Sequence, residues 1–129
     1  MKQKSMVFFL LLWAGTVCLS LAAVLKHYSA EEVRQFLMKT DGHVVLLDVR
    51  TPEEYEQAHL TGSTLLDYHD EDFEQNLAAL PRDVTYIVFC ATGYRSIRTA
   101  RMLQDMGYEV IHMDGGIEEW KRLRFPVVE

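Results

Sequence analysis

The residues best placed to do chemistry lie in the run Tyr86-Ile87-Val88-Phe89-Cys90-Ala91-Thr92-Gly93-Tyr94-Arg95-Ser96. An apolar, β-branched and aromatic stretch ends on a cysteine, a short loop with a glycine follows, and Arg95 and Ser96 open a segment that reads as a helix. A strand that stops at a cysteine and turns back into a helix sets the sulfur over helix N-terminal amides, which carry roughly half a positive charge. Such a site draws a thiol pKa from about 8.5 towards neutrality and populates the nucleophilic thiolate. The competing reading is a small buried hydrophobe, the usual state of a lone cysteine.

A second group of charged residues, Asp48, Arg50, Glu54 and His59, follows another apolar run. The structural reading of these outweighs the catalytic one. An Asp at a strand end can accept loop amides, and an Arg–Glu pair four apart can lock the following turn. Arg50 is retained as a candidate pocket residue. His59 reads as a hydrogen-bonded structural histidine, because a thiolate stabilised by amides needs no base. Two cysteines do not make an ordinary zinc site, and His27, His43, His59, His69 and His112 show no paired ligand spacing, so no metal and no other cofactor is expected.

The elements that must hold these residues alternate in type. Ser29-Ala30-Glu31-Glu32 is a capping box, with Val33, Phe36 and Leu37 on one helical face until Asp41-Gly42. His43–Val49 is a continuous apolar run, the pattern of a strand covered on both faces. Pro52 starts a short helix, Thr64–Leu66 is a short strand, and His69–Leu80 is expected to be helical before Pro81. The helix from Arg95 to Met106 presents Ile97, Ala100, Leu103 and Met106, with Gly107 at its end. Arg98 and Arg101 fall on its solvated face. Val110–Met113 reads as a strand and Ile117–Lys121 as a last helix that places Trp120 in the core. Alternating strands and helices predict an α/β domain with a mostly parallel sheet flanked by helices.

At 129 residues the chain holds a single domain. Its net charge is −6, two units more negative without Lys2 and Lys4, and no basic run is present, which argues against nucleic acid as a partner. Any anionic substrate has to be caught locally, by loop amides and nearby arginines. Residues 1–22 differ from the rest: Lys2 and Lys4 precede an apolar run, and Ser20-Leu21-Ala22 fits a signal-peptidase site. An uncleaved anchor is the alternative, since Met6–Leu25 approaches the roughly 20 residues that span a bilayer. On either reading the body, residues 28–128, is exported, and membrane contact is expected only if the leader stays. Cys18 lies in the leader, so the body holds one thiol and no internal disulfide.

The segments Asp48-Val49-Arg50, Glu54-Tyr55 and His59-Leu60-Thr61-Gly62-Ser63, the loop Cys90-Ala91-Thr92-Gly93-Tyr94-Arg95-Ser96, and Asp114-Gly115-Gly116-Ile117-Glu118-Glu119-Trp120 together resemble the rhodanese family. They occur in the family's order and span roughly Tyr28 to Val127. The resemblance implies a monomeric periplasmic sulfurtransferase. Cys90 would take a sulfur from a small-molecule donor such as thiosulfate, hold it as a persulfide, and pass it to a thiophilic acceptor such as cyanide. Backbone amides of Ala91, Thr92, Gly93, Tyr94, Arg95 and Ser96 would cradle donor and persulfide, with Arg95 either binding the anionic donor or pairing with an acidic side chain. Four residues between Cys90 and Arg95 match the sulfur-transferring members, whereas phosphatases and arsenate reductases of this fold carry one more. Many members have Arg or Lys early in the loop. Ala91 and Thr92 are neutral, which favours a neutral or protein-bound persulfide donor over thiosulfate. A sulfur-carrying or interaction module with little turnover is the alternative, and a cysteine phosphatase a distant one.

Overall fold

The computed structural model describes residues 23–129, so the expected leader and Cys18 lie outside the described part. Five strands, β1 (Lys26–Tyr28), β2 (Val44–Asp48), β3 (Thr64–Leu65), β4 (Thr85–Phe89) and β5 (Glu109–Met113), form one sheet in the order β1-β5-β4-β2-β3. Every pairing is parallel. The helices are α1 (Ala30–Lys39), α2 (Pro52–Gln57), α3 (Phe73–Ala78), α4 (Tyr94–Asp105) and α5 (Gly116–Arg122). No helix among the described residues is long and apolar enough to cross a membrane. The expected α/β class with a parallel, helix-flanked sheet is what the chain adopts.

β4 lies at the centre and explains where the cysteine points. Successive side chains on a strand face opposite sides. Tyr86, Val88 and Cys90 enter one apolar layer with Ala100 and Leu103 of α4 and Phe73 and Leu77 of α3. Ile87 and Phe89 enter the other, with Ala30 and Val33 of α1 and Ile117 and Trp120 of α5. Cys90 therefore ends the strand on the α4 side of the sheet. The carboxyl ends of parallel strands are the usual ligand-binding edge of such folds.

The capping box at α1 forms as the sequence indicates, Glu32 N–H donating to Ser29 Oγ at 3.1 Å and Ser29 N–H to Glu32 Oε2 at 2.7 Å. Two elements differ from expectation. Strand β1 carries no legible periodicity, being three residues long and polar, and exists because it pairs with β5 at the sheet edge. The helix expected over His69–Leu80 shrinks to Phe73–Ala78. Asp67 and Asp70 accept the amides of His69 and Asp72 at 2.9 and 2.8 Å, and such side-chain turns compete with helix at its start. A second capping box, Thr51 with Glu54, starts α2.

Candidate active site

The loop from Cys90 to Ser96 leaves β4 and enters α4 around one sulfur. Cys90 is 1% exposed, and Gly93 N–H donates to its Sγ at 3.1 Å. Gly93 sits at φ 125°, a backbone region costly for any residue with a Cβ, and this lets the chain fold back over the thiol. Burial is the largest influence on the Cys90 thiol and acts upward. The Ser96 hydroxyl and the amides of Ser96, Gly93 and Thr92 together outweigh it, so the pKa lies below that of an ordinary cysteine.

The other side of the loop is held by α5. Ile117 N–H donates to the Cys90 carbonyl at 3.0 Å and Glu118 N–H to the Ala91 carbonyl at 3.1 Å. With those carbonyls drawn back, the loop amides are free to serve the sulfur. Gly116 makes this approach possible: at φ 59°, any Cβ there would run into the carbonyls of Cys90 and Ala91. Gly116→Ala is expected to destabilise the domain by about 2 kcal/mol or more and to slow Cys90 alkylation, through backbone strain and overpacking together. Denaturant unfolding checks it; a loss under about 0.5 kcal/mol, the range of neutral surface changes, would mean the loop yields freely.

The charged residues divide into two ion pairs, neither the local Arg50–Glu54 pair expected from spacing. Arg50, 3% exposed, grips fully buried Asp48, its Nη2–H donating to Oδ2 at 2.7 Å and its Nε–H to Oδ1 at 2.9 Å. Its remaining donors go to the Ala58 and Glu54 carbonyls at 2.7 and 3.4 Å. Held in this way, Arg50 locks the β2–α2 turn and offers no free fork to a substrate. Glu54 instead receives Arg95 in a bidentate pair, both contacts 2.9 Å. The Arg95 side chain is thus the acid-paired one of the two alternatives, although its charge still acts on Cys90. His59 Nδ1–H donates to the Tyr55 carbonyl at 3.0 Å, and the ring stacks on the Tyr55 ring at 3.9 Å.

Glu54 carries a pH signature. The hydrogen bonds from Arg95, opposed by burial and aided by the Thr51 amide, lower its pKa from 4.5 to about 2. A carboxylate depressed in the folded state adds stability above its unfolded pKa and loses it as pH falls through the folded value. The contribution should therefore be complete near neutrality and disappear between about pH 4.5 and about pH 2. Partial exposure screens the pair, so Glu54→Gln is expected to cost about 1 kcal/mol at neutral pH. Stability curves of the two proteins should converge in acid; parallel curves would remove this assignment.

Of the remaining loop residues, Tyr94 is exposed with Arg98 over its ring, Thr92 is exposed, and Ala91 is half-buried. Ser96 is fully buried, its hydroxyl 3.3 Å from Cys90 Sγ, 3.1 Å from the Gly93 carbonyl and 2.7 Å from His112 Nε2. Spacing along the chain does not single out His112. Its partners are Asp114, two residues on, and His27 from β1, placed opposite it by the register His27↔His112. One donor atom from each of His27, His112 and Asp114 thus lies within 4.8 Å of the others. The dipeptide-spaced His112 and Asp114 at a strand end was the one available signal.

The Rhodanese-like domain family matches residues 29–123. A sulfurtransferase of Allochromatium vinosum is 31% identical over 100 residues, covering 77% of this chain and 91% of its own. The probable adenylyltransferase/sulfurtransferase MoeZ of Mycobacterium tuberculosis is 32% identical over 84 residues, 64% of this chain, and the match spans only 21% of that relative's length. A solved rhodanese-related protein of Thermoplasma volcanium superposes with a TM-score of 0.71 at 26% identity, over 80% of this chain and 97% of that one.

Proposed function

The chain belongs to the rhodanese-like domain family, and from that premise we propose a sulfurtransferase in which Cys90 carries the transferred sulfur. The supporting observation is the Cys90 thiol itself, buried yet held below its ordinary pKa by the Ser96 hydroxyl and the loop amides. In the first half-reaction the thiolate attacks the outer sulfur of the donor. A new S–S bond forms, the donor's own S–S bond breaks, and the leaving group (sulfite, when thiosulfate is the donor) departs with the electron pair. In the second, a thiophilic acceptor attacks the outer persulfide sulfur and the Cys90 thiolate is released. This is covalent catalysis with ping-pong kinetics. The amides that favour the thiolate also suit the persulfide anion, the role of an oxyanion-hole-type cradle.

With Arg50 and Arg95 both engaged by carboxylates and Ala91 and Thr92 neutral, no free cation lies in the loop for a dianion. That favours a neutral or protein-bound persulfide as the working donor over thiosulfate. The leader supports an exported, periplasmic body, tethered if the apolar run is retained. Intact mass before and after donor tests the whole reading. One sulfur gained from thiosulfate or an organic persulfide, and removed by cyanide, is the expected result. A sulfur that is gained but not turned over would leave a carrier module, and no gain from either donor would overturn the assignment.

A further inference from the structure

A chain of hydrogen bonds runs from the nucleophile to the edge of the sheet. Cys90 Sγ lies 3.3 Å from Ser96 Oγ, which lies 2.7 Å from His112 Nε2. His112 Nδ1 is 2.8 Å from Asp114 Oδ1, and the same oxygen is 2.9 Å from His27 Nδ1. Chemistry sets the direction of the first links. A carboxylate only accepts, so neutral His112 carries its proton on Nδ1 and presents a bare Nε2 to the Ser96 hydroxyl. With its proton given to Nε2, Ser96 Oγ is free to accept from the Cys90 thiol. Cys90, Ser96 and His112 are 1%, 0% and 3% exposed, so the thiol proton has this internal route in place of direct access to solvent.

We propose that His112 is a positioning residue that stores the Cys90 proton through Ser96. The thiol proton passes to Ser96 Oγ while the Ser96 proton passes to His112 Nε2. The products are a thiolate, a serine hydroxyl that now donates to the sulfur, and an imidazolium facing Asp114. No proton enters or leaves, and the net charge is unchanged. The store is returned when a thiol-like leaving group or the regenerated thiolate needs a proton. This deepens the sulfurtransferase reading, resting on Cys90 as its nucleophile.

The consequence is a coupled titration. Burial holds the His112 pKa below its usual value, against the hydrogen bond and charge of Asp114, and the charge of His27 acts in the same direction as burial. The titratable groups facing the imidazole are Asp114 and His27 at Nδ1 and, across Ser96, Cys90 at Nε2. When His112 is protonated its Nε2 is filled and the store is closed. Above that point, and below the full ionisation of Cys90, thiol reactivity should stand on a plateau.

The test is the rate of Cys90 alkylation by iodoacetamide from about pH 4 to about pH 10, a span that starts well below the ordinary imidazole pKa and ends above the ordinary thiol one, with a chelator present throughout. The native protein is expected to show two steps. His112→Gln keeps a hydrogen-bonding partner for Ser96 but takes no proton. It should lose the acid-side step, alkylating about tenfold or more slowly near pH 6 and converging with the native protein at high pH. His27→Gln removes the imidazole whose charge, where it is protonated, opposes the His112 imidazolium, so it should move the acid step to higher pH and not lower the plateau. A single-step native curve, a His112→Gln curve lowered equally at every pH, or a His27→Gln plateau below the native one would overturn the proposal. Should His112→Gln fail to fold, the His27→Gln curve still decides. Alkylation reads the thiol whatever the donor, so failure here leaves sulfur transfer standing. A protein that shows two steps yet takes up no sulfur would overturn the sulfurtransferase reading alone.

Discussion

Cys90→Ser is expected to reduce sulfur transfer to background while leaving the fold unchanged. The expected loss is complete because the step needs an anionic sulfur that can form an S–S bond, and a serine oxygen neither ionises near neutrality nor forms a persulfide. The fold should survive because the site already suits a small polar acceptor. Gly93 N–H, now donating to Sγ at 3.1 Å, can donate to a serine oxygen, and Ser96 lies beside it to complete the contact. Thiocyanate formation and intact mass read the activity, and the melting temperature reads the fold. Transfer within tenfold of the native rate would move the nucleophile away from Cys90.

The second large effect lies one strand away. Asp48 is fully buried and receives the Arg50 amide at 3.0 Å as well as its guanidinium. Removing one member of a buried pair strands the other, and the typical loss is about 3–5 kcal/mol. Asp48→Ala should therefore consume a large share of the roughly 5–15 kcal/mol that holds a domain together. The melting temperature is expected to drop by more than about 10 °C. The damage should reach the site, since Asp48 is paired in register with Phe89 and the Val49 amide donates to the Phe89 carbonyl immediately before Cys90. A loss of under about 1 kcal/mol, the scale of a surface pair, would show that Arg50 finds water instead.

Much of this arrangement is legible along the chain because it is local. The strand that ends in Cys90, the glycine that turns the loop, the helix after it and the capping box before Val33 all declare themselves within a few residues. What stays hidden is set by distance in sequence. Glu54 looks like the partner of Arg50, four residues away, but the sheet brings Arg95 to it across 41 positions. His27, His112 and Asp114 have no shared spacing because a strand register, not a helical repeat, joins them. The helix over His69–Leu80 is shorter than its acidic first turn suggests, because Asp67 and Asp70 turn back on their own backbone.

The parallel pairing of β1 with β5 sets Lys26 beside Ile111, and the bridge of His59 to Val128 ties the middle of the chain to its last residues. Such long-range closure makes for slow, late-completing folding. The amides of Ile117 and Glu118 that draw back the loop carbonyls, and the His112 that faces Ser96, all come from beyond residue 108. During synthesis the Cys90 loop, with the local groups that lower its thiol pKa, is therefore made before the segment that braces it, and the site takes its final shape only once that segment has folded against the loop.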